Sequence, residues 1–236
     1  MRIASFVAAR RGWVIRFLLG CGVAALMTVS AQNWVAHATD RFVSPFGDDM
    51  GGTNDCTSPD TPCKTIQNGV NQSGSGDLIE VAPGTYTAIE RGVNNGTGIG
   101  VVEAYDLDTS ANSKLANIST RGLVQTGDNV LFAGMIVVGQ ASQKVIIRAL
   151  GPSTGVPGAM ADPTLELHDA NGALLEANDN WMDSPNKQAI IDSTIPPTNN
   201  AESAIVRILT PANYTAIVRG AGNTTGIAVV EVYALQ

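Results

Sequence analysis

Histidine is nearly absent from this chain: His37 and His168 are the only two in 236 residues. Relay catalysis and His-rich metal sites therefore have almost nothing to work with. Aromatic residues make up only 5% and charged residues only 15%. Basic residues number 14 against 21 acidic, which excludes nucleic acid and anionic membrane as natural partners. No apolar run reaches the roughly 20 residues of a membrane span. What the chain has instead is Gly, Asn, Thr and Val, the composition of many short strands joined by tight turns.

The N-terminus reads as an export leader. Arg2, Arg10, Arg11 and Arg16 precede the apolar run from Phe17 to Val29, and Ala36-His37-Ala38 offers a small-residue cleavage site, with Val29-Ser30-Ala31 as a second. Arg10-Arg11 hints at twin-arginine export, but the residues after it fit that motif only loosely. Leu18-Leu19-Gly20-Cys21 has the outline of a lipidation box, yet the apolar run continues past Cys21. The expectation is a leader over residues 1–38, cleaved after Sec-type export to leave a secreted or cell-surface protein. Cys56 and Cys63 then remain in DCTSPDTPC. In an exported chain they read as a disulfide closing a small loop, worth about 2–3 kcal/mol on the chain-entropy account.

The strongest pattern is internal repetition. YTAIERGVNNGTGIGVVEAYDL, residues 86–107, returns as YTAIVRGAGNTTGIAVVEVYAL, residues 214–235, with 15 of 22 positions identical. Each copy reads as two strands joined by a Gly/Asn/Thr turn, a hairpin. The first copy lacks the front of its repeat, so residues 86–107 are an orphan hairpin, 108–114 a polar linker and 115–236 one complete unit. An isolated hairpin is marginal in water and needs a sheet edge or another partner. Arg91/Arg219 and Glu103/Glu231 recur in both copies and read as an in-sheet charge pair.

Residues 41–86 read as a strand, a Cys-bridged loop, a short helix near Lys64–Gln72 and a strand over Asp77–Ala82. FVSPFGDD, PCKTIQNGV and GDLIEVAPGTY resemble the N-terminal capping coil of right-handed parallel β-helix proteins of the pectate-lyase-like kind. The resemblance implies a cap for a solenoid, but the stacked coils that would come next, and the polysaccharide-cleaving residues they carry, have no counterpart here.

The complete unit predicts eight strands: Leu115–Arg121, Asn129–Val138, Lys144–Leu150, Thr164–Asp169, Ala173–Ala177, Ala204–Leu209, Tyr214–Arg219 and Gly226–Leu235. Short strands between Gly, Pro and Asn turns predict an all-β fold, an antiparallel sandwich of jelly-roll type. VLFAGMIVVG is apolar on both faces and predicts a central strand. LELHDANGALLEA alternates about a DANG turn and predicts a hairpin. A helix is expected near Ser184–Ile191, with Ser184 as cap and Pro185 in its first turn. DPTLELHDANGALLEANDNW and ESAIVRILTPANYTAIVRG, with RALGPS before them, resemble bacterial pre-peptidase C-terminal-like sandwich modules repeated in large exported proteins. That resemblance implies a non-catalytic module for polymer binding or adhesion.

Candidate sites are few. His168 alternates outward beside Glu166 and reads as a solvated strand residue; Ser153 and Ser203 have no histidine in relay. Glu166 and Glu176 share one hairpin, where charged pairs are ordinary surface residues, so no catalytic residue is assigned. Asp169, Asn171, Asp179 and Asp183 put short oxygen-bearing side chains on adjoining loops. That chemistry suits Ca²⁺, with its six to eight or so oxygen ligands, but equally suits Asx turns without metal. Trp181 beside them reads either as a sugar-stacking platform or as a core plug. The functional expectation is a polysaccharide-binding or adhesive module; the alternative is a remnant or accessory of a β-helix carbohydrate-active enzyme.

Overall fold

A computed structural model describes residues 2–8, 13–15, 39–49, 54–73, 78–82, 84–104 and 115–235. Most of the leader and the linker lie outside the described residues. In chain order the strands are β1 (Arg2–Ala8), β2 (Trp13–Ile15), β3 (Asp40–Val43), β4 (Leu78–Val81), β5 (Gly84–Glu90), β6 (Leu115–Val124), β7 (Leu131–Val137), β8 (Gln143–Leu150), β9 (Pro163–His168), β10 (Leu174–Asn178), β11 (Ser203–Leu209), β12 (Ala212–Gly220) and β13 (Gly226–Ala234). Two short helices join them, α1 (Ile66–Gln72) and α2 (Lys187–Asp192). The chain divides into two compact units, one of residues 1–6, 87–102 and 116–236, the other of residues 7–86 and 103–115.

In the first unit all eight expected strands of residues 115–236 form, and their pairing fixes the fold. β6 pairs with β13, β7 with β12, β8 with β11 and β9 with β10, each antiparallel. First with last, second with seventh, and so inward, is the connectivity of a jelly roll: one long ribbon of paired strands rolled into two facing sheets. The sheets run β10-β9-β12-β7 and β11-β8-β13-β6, the latter order continuing through β1 and β5. Alternation along β9 and β12 sends Leu165, Leu167, Tyr214, Ala216 and Val218 inward to meet Ile147 and Val230 from the opposing sheet. Fully burying each such aliphatic side chain contributes roughly 1.5–3 kcal/mol.

Rolling the ribbon corrects two expectations. β12 and β13 belong to different sheets, so the repeated text is an arch crossing the core and not a hairpin. Its turn tilts the chain across instead of folding it back: Gly222 and Asn223 both take positive φ, 62° and 61°. β7 is an edge strand of its sheet, although VLFAGMIVVG is apolar on both faces. Its outward residues Phe132 and Ile136 are exposed.

The DANG hairpin forms as expected, with Leu174 opposite His168 and Gly172 at φ 80°. The connection from β10 to β11 carries a 3-10 turn at Trp181–Asp183 and then α2. α2 begins later than expected, with Asn186 at its cap position, because the Ser184 hydroxyl accepts the Asn186 N–H at 3.1 Å and holds Pro185 in a turn before the helix. This connection covers the outer face of the β8–β11 pair, where Trp181 and Ile190 pack on Ile146, Ala204 and Val206. β8 is therefore buried on both faces.

In the second unit β3 and β4 pair in parallel, Arg41 opposite Ile79, and β2 adds antiparallel to β4. Cys56 and Cys63 form the expected disulfide, Cα atoms 5.2 Å apart, and the bridged loop is stitched by Asn54, whose side-chain amide donates to the Asp48 and Pro62 carbonyls. α1 leads back to β4, and Gly69 packs against Val43 and Ile79 so closely that a Cβ would lie 2.9 Å from the Val43 side chain. The strands of this unit form one three-stranded sheet, β2-β4-β3, and no stack of coils is seen among the described residues.

Candidate binding face

Two sheet faces point away from the sandwich core, and they differ. The outer face of β8–β11 is sealed by Trp181 and α2. The outer face of β10-β9-β12-β7 carries no such cover among the described residues. Cross-strand register lays it out in rows. Phe132, Ile217 and Glu166 form one row; Gly134, Thr215 and His168 form the next. Ile136 faces Asn213 in a third. Phe132 is 45% and Ile136 57% exposed. Between them a Cβ on Gly134 would meet nothing within 4 Å, so the edge strand presents a shallow trough with an apolar wall at each end.

Polar groups close the trough on the β9 side. His168 Nε2 lies 3.0 Å from Glu166 Oε2, and Nδ1 lies 3.0 Å from the Gly172 carbonyl. Both ring nitrogens thus face acceptors, which only the doubly protonated ring satisfies. The hydrogen bond to Glu166 is the main reason the His168 pKa is raised above its usual 6.5, and the Gly172 carbonyl adds to it. Arg219 Nε stands 3.9 Å from the same Glu166 oxygen, and its guanidinium donates to the Gly127 carbonyl at 2.9 Å. The recurrent arginine and glutamate of the second copy consequently do not pair with each other. Glu231 instead sits directly opposite Arg148 on β8 and accepts from it, while Arg148 stacks 5.1 Å from the Tyr233 ring centroid.

The residues singled out from the sequence fall in separate places. Asp169 Oδ1 accepts the backbone N–H groups of Asn171 and Ala173 at 2.8 and 2.9 Å, which is Asx-turn chemistry. Asp179 offers its backbone carbonyl to Ser203, and Asp183 lies in the 3-10 turn after it. Among the described residues no three His, Cys, Asp or Glu side chains gather as metal ligands. Trp181 is 7% exposed, its indole N–H donating to the Asn199 carbonyl at 3.1 Å; the ring is part of the core and its faces are not open to a sugar. Ser203 donates to the Pro163 and Asp179 carbonyls and Ser153 to Glu202, so neither hydroxyl is held by His168.

A cleft of about 440 Å³ opens at Asp169, Leu175, Arg207, Thr210 and Tyr214. Its polar groups are turned inward: Arg207 holds the Leu175 carbonyl and Glu176, and the Tyr214 hydroxyl donates to the Thr210 carbonyl.

Glu202 escaped sequence reasoning. It is fully buried, and Oε1 accepts from Gly151 N–H, Ser153 N–H and Ser153 Oγ at 2.9, 2.9 and 2.6 Å. The RALGPS and ESAIVRIL stretches are therefore two halves of one clasp. Their wide separation in the chain hid the contact, and a glutamate opening a strand carries no signal of its own.

No family model matches the chain, and no curated protein matches it. Among solved structures it is similar to the pre-peptidase C-terminal domain of collagenase from Bacillus anthracis, at 15% identity and a TM-score of 0.32, covering 48% of this chain and 86% of that one. So slight a likeness does not bear on function. No helix among the described residues is long and apolar enough to cross a membrane.

Proposed function

We propose that this chain is an exported, non-catalytic sandwich module that binds an extracellular polysaccharide or cell-surface polymer through the outer face of β10-β9-β12-β7. The observation that carries the reading is the asymmetry of the two outer faces: one is sealed by Trp181 and Ile190, the other leaves Phe132 and Ile136 exposed beside His168, Glu166 and Arg219. A polysaccharide presents C–H faces and hydroxyls in alternation. An apolar trough fringed by a few placed donors and acceptors suits both. The basic-apolar leader and the Cys56–Cys63 disulfide support export.

Retention of the chain on a panel of immobilised polysaccharides, with Ca²⁺ and with chelator, tests the reading. Phe132→Ala with Ile136→Ala should weaken retention by about tenfold or more, equivalent to about 1.4 kcal/mol, without lowering the melting temperature. A difference between the Ca²⁺ and chelator arms would show that a cation takes part in binding. Retention on no polysaccharide, or retention indifferent to the double substitution, would overturn the reading. The parallel β3–β4 pair behind a disulfide loop favours one second reading, a remnant of a β-helix carbohydrate-active enzyme. Release of reducing ends from polyuronate by the full chain would establish it.

A further inference from the structure

The jelly roll has six strands, β6 to β11, that are closed by a two-strand tail, β12 and β13, and the chain carries a second text for that tail. Residues 84–90 form a strand where residues 212–218 do, and the 3-10 turns at Val93–Asn95 and Ala221–Asn223 fall at matching places. The first text also stands in a workable position. In the closed roll β13 runs antiparallel to β6, Tyr233 opposite Asn117, and the first text ends shortly before β6 in the sequence. Laid in the place of β13 it would form a hairpin with β6, a circularly permuted closure of the same frame.

The differences between the copies decide why it does not. The tail's core-facing residues are Tyr214, Ala216, Val218, Ala228 and Val230. The first text keeps Tyr86, Ala88 and Val102 but puts Glu90 for Val218 and Gly100 for Ala228. Val218 is fully buried opposite Leu131 and Leu165, where a carboxylate would find only aliphatic neighbours. The two differences meet in space. A Cβ built on Gly100 would lie 1.7 Å from Glu90 Oε1, so the carboxylate occupies the room that the alanine methyl of the second copy would need. Glu90 Oε2 is buried there with no hydrogen-bond partner.

We infer that the six-strand frame is an interaction surface for a tail of this text, and that the Glu90–Gly100 pair is what bars the first copy from it. Glu90 keeps the first tail folded against its own glycine, and the C-terminal tail closes the frame unopposed.

The test is a chain ending at Pro211, which deletes β12 and β13 and leaves the first tail as the sole source of closure. With Glu90 and Gly100 in place it should show no cooperative thermal transition. With Glu90→Val and Gly100→Ala together it should regain one as a monomer, and adding Val102→Asp should abolish it again. In the full-length chain the same double substitution should raise amide exchange at Val230 by about tenfold or more, the change of about 1.4 kcal/mol in local opening that a competing tail produces. A cooperative transition in the unsubstituted truncated chain, or none in the double variant, would overturn the inference; so would unchanged exchange at Val230.

Discussion

The two copies of the repeated text fold alike as far as the turn and differently after it. In each, a buried tyrosine donates its hydroxyl to the carbonyl four residues back: Tyr86 to Ala82 at 2.6 Å, Tyr214 to Thr210 at 2.9 Å. In each, a glycine passes so near the turn that a Cβ would fall about on the next carbonyl, Gly92 at 1.9 Å from Gly96 O and Gly220 at 2.2 Å from Thr224 O. Asn94 and Asn95 repeat the positive φ of Gly222 and Asn223. Past the turn, Gly226–Ala234 is a central strand between β6 and β8, while Gly96–Ala104 carries no strand. The turn is specified by its own residues. The strand after it exists only where neighbours supply the ladder, because an extended segment satisfies its backbone through partners.

Charge in the core should break the symmetry most. Val230→Asp places a carboxylate at a site 1% exposed, and Val102→Asp places one at a site 37% exposed. The first should cost about 4 kcal/mol or more and the second within about 0.5 kcal/mol, read from urea unfolding. Equal losses would mean that Gly96–Ala104 is packed after all. Next in size, Glu231→Ala strands Arg148, which is 14% exposed, and should cost about 3 kcal/mol. Restoring an apolar match with Arg148→Met in the same chain should recover part of it.

The tyrosines should behave as equals. Tyr86→Phe and Tyr214→Phe each remove one hydroxyl-to-carbonyl bond, about 1 kcal/mol apiece. Burial pushes the Tyr86 pKa up from 10.0 to about 12. Folded Tyr86 therefore stays neutral after the unfolded residue has begun to ionise. Stability is intact below pH 10 and falls as pH rises toward 12; Tyr86→Phe should remove that fall in an alkaline melting series.

His168, opposite Thr215 in the second copy, gives the smallest effect. Its raised pKa means its ion pair with Glu166 contributes fully below pH 6.5 and is lost as pH rises through the folded value. His168→Gln should flatten that slope, by under about 1 kcal/mol. Changes at Thr87, which stands in the first copy where Thr215 stands in the second, should leave the slope as it is.

Local chemistry was legible in the sequence and global placement was not. All eight strands of residues 115–236, the DANG turn and the disulfide follow from alternation, Gly/Asn turns and cysteine spacing. What failed were inferences about neighbours. VLFAGMIVVG reads as central because apolar residues on both faces ordinarily mean burial, yet β7 is an edge whose outer face is open. The tail reads as a hairpin because two strands flank a short turn, yet jelly-roll winding sends them to opposite sheets. Gly226 shows the limit well. A Cβ there would lie 2.7 Å from the Met160 backbone, and one on its counterpart Gly98 would meet nothing within 4 Å. The same letter is obligatory in one place and idle in the other.

Pairing of the earliest strand with the latest has a kinetic cost. β6 cannot be zipped until β13, the last strand of the chain, arrives, and contacts so distant in the chain form slowly. The β9–β10 hairpin, closed by a short turn, can form early, whereas the pairing of β6 with β13 spans the whole unit and comes last.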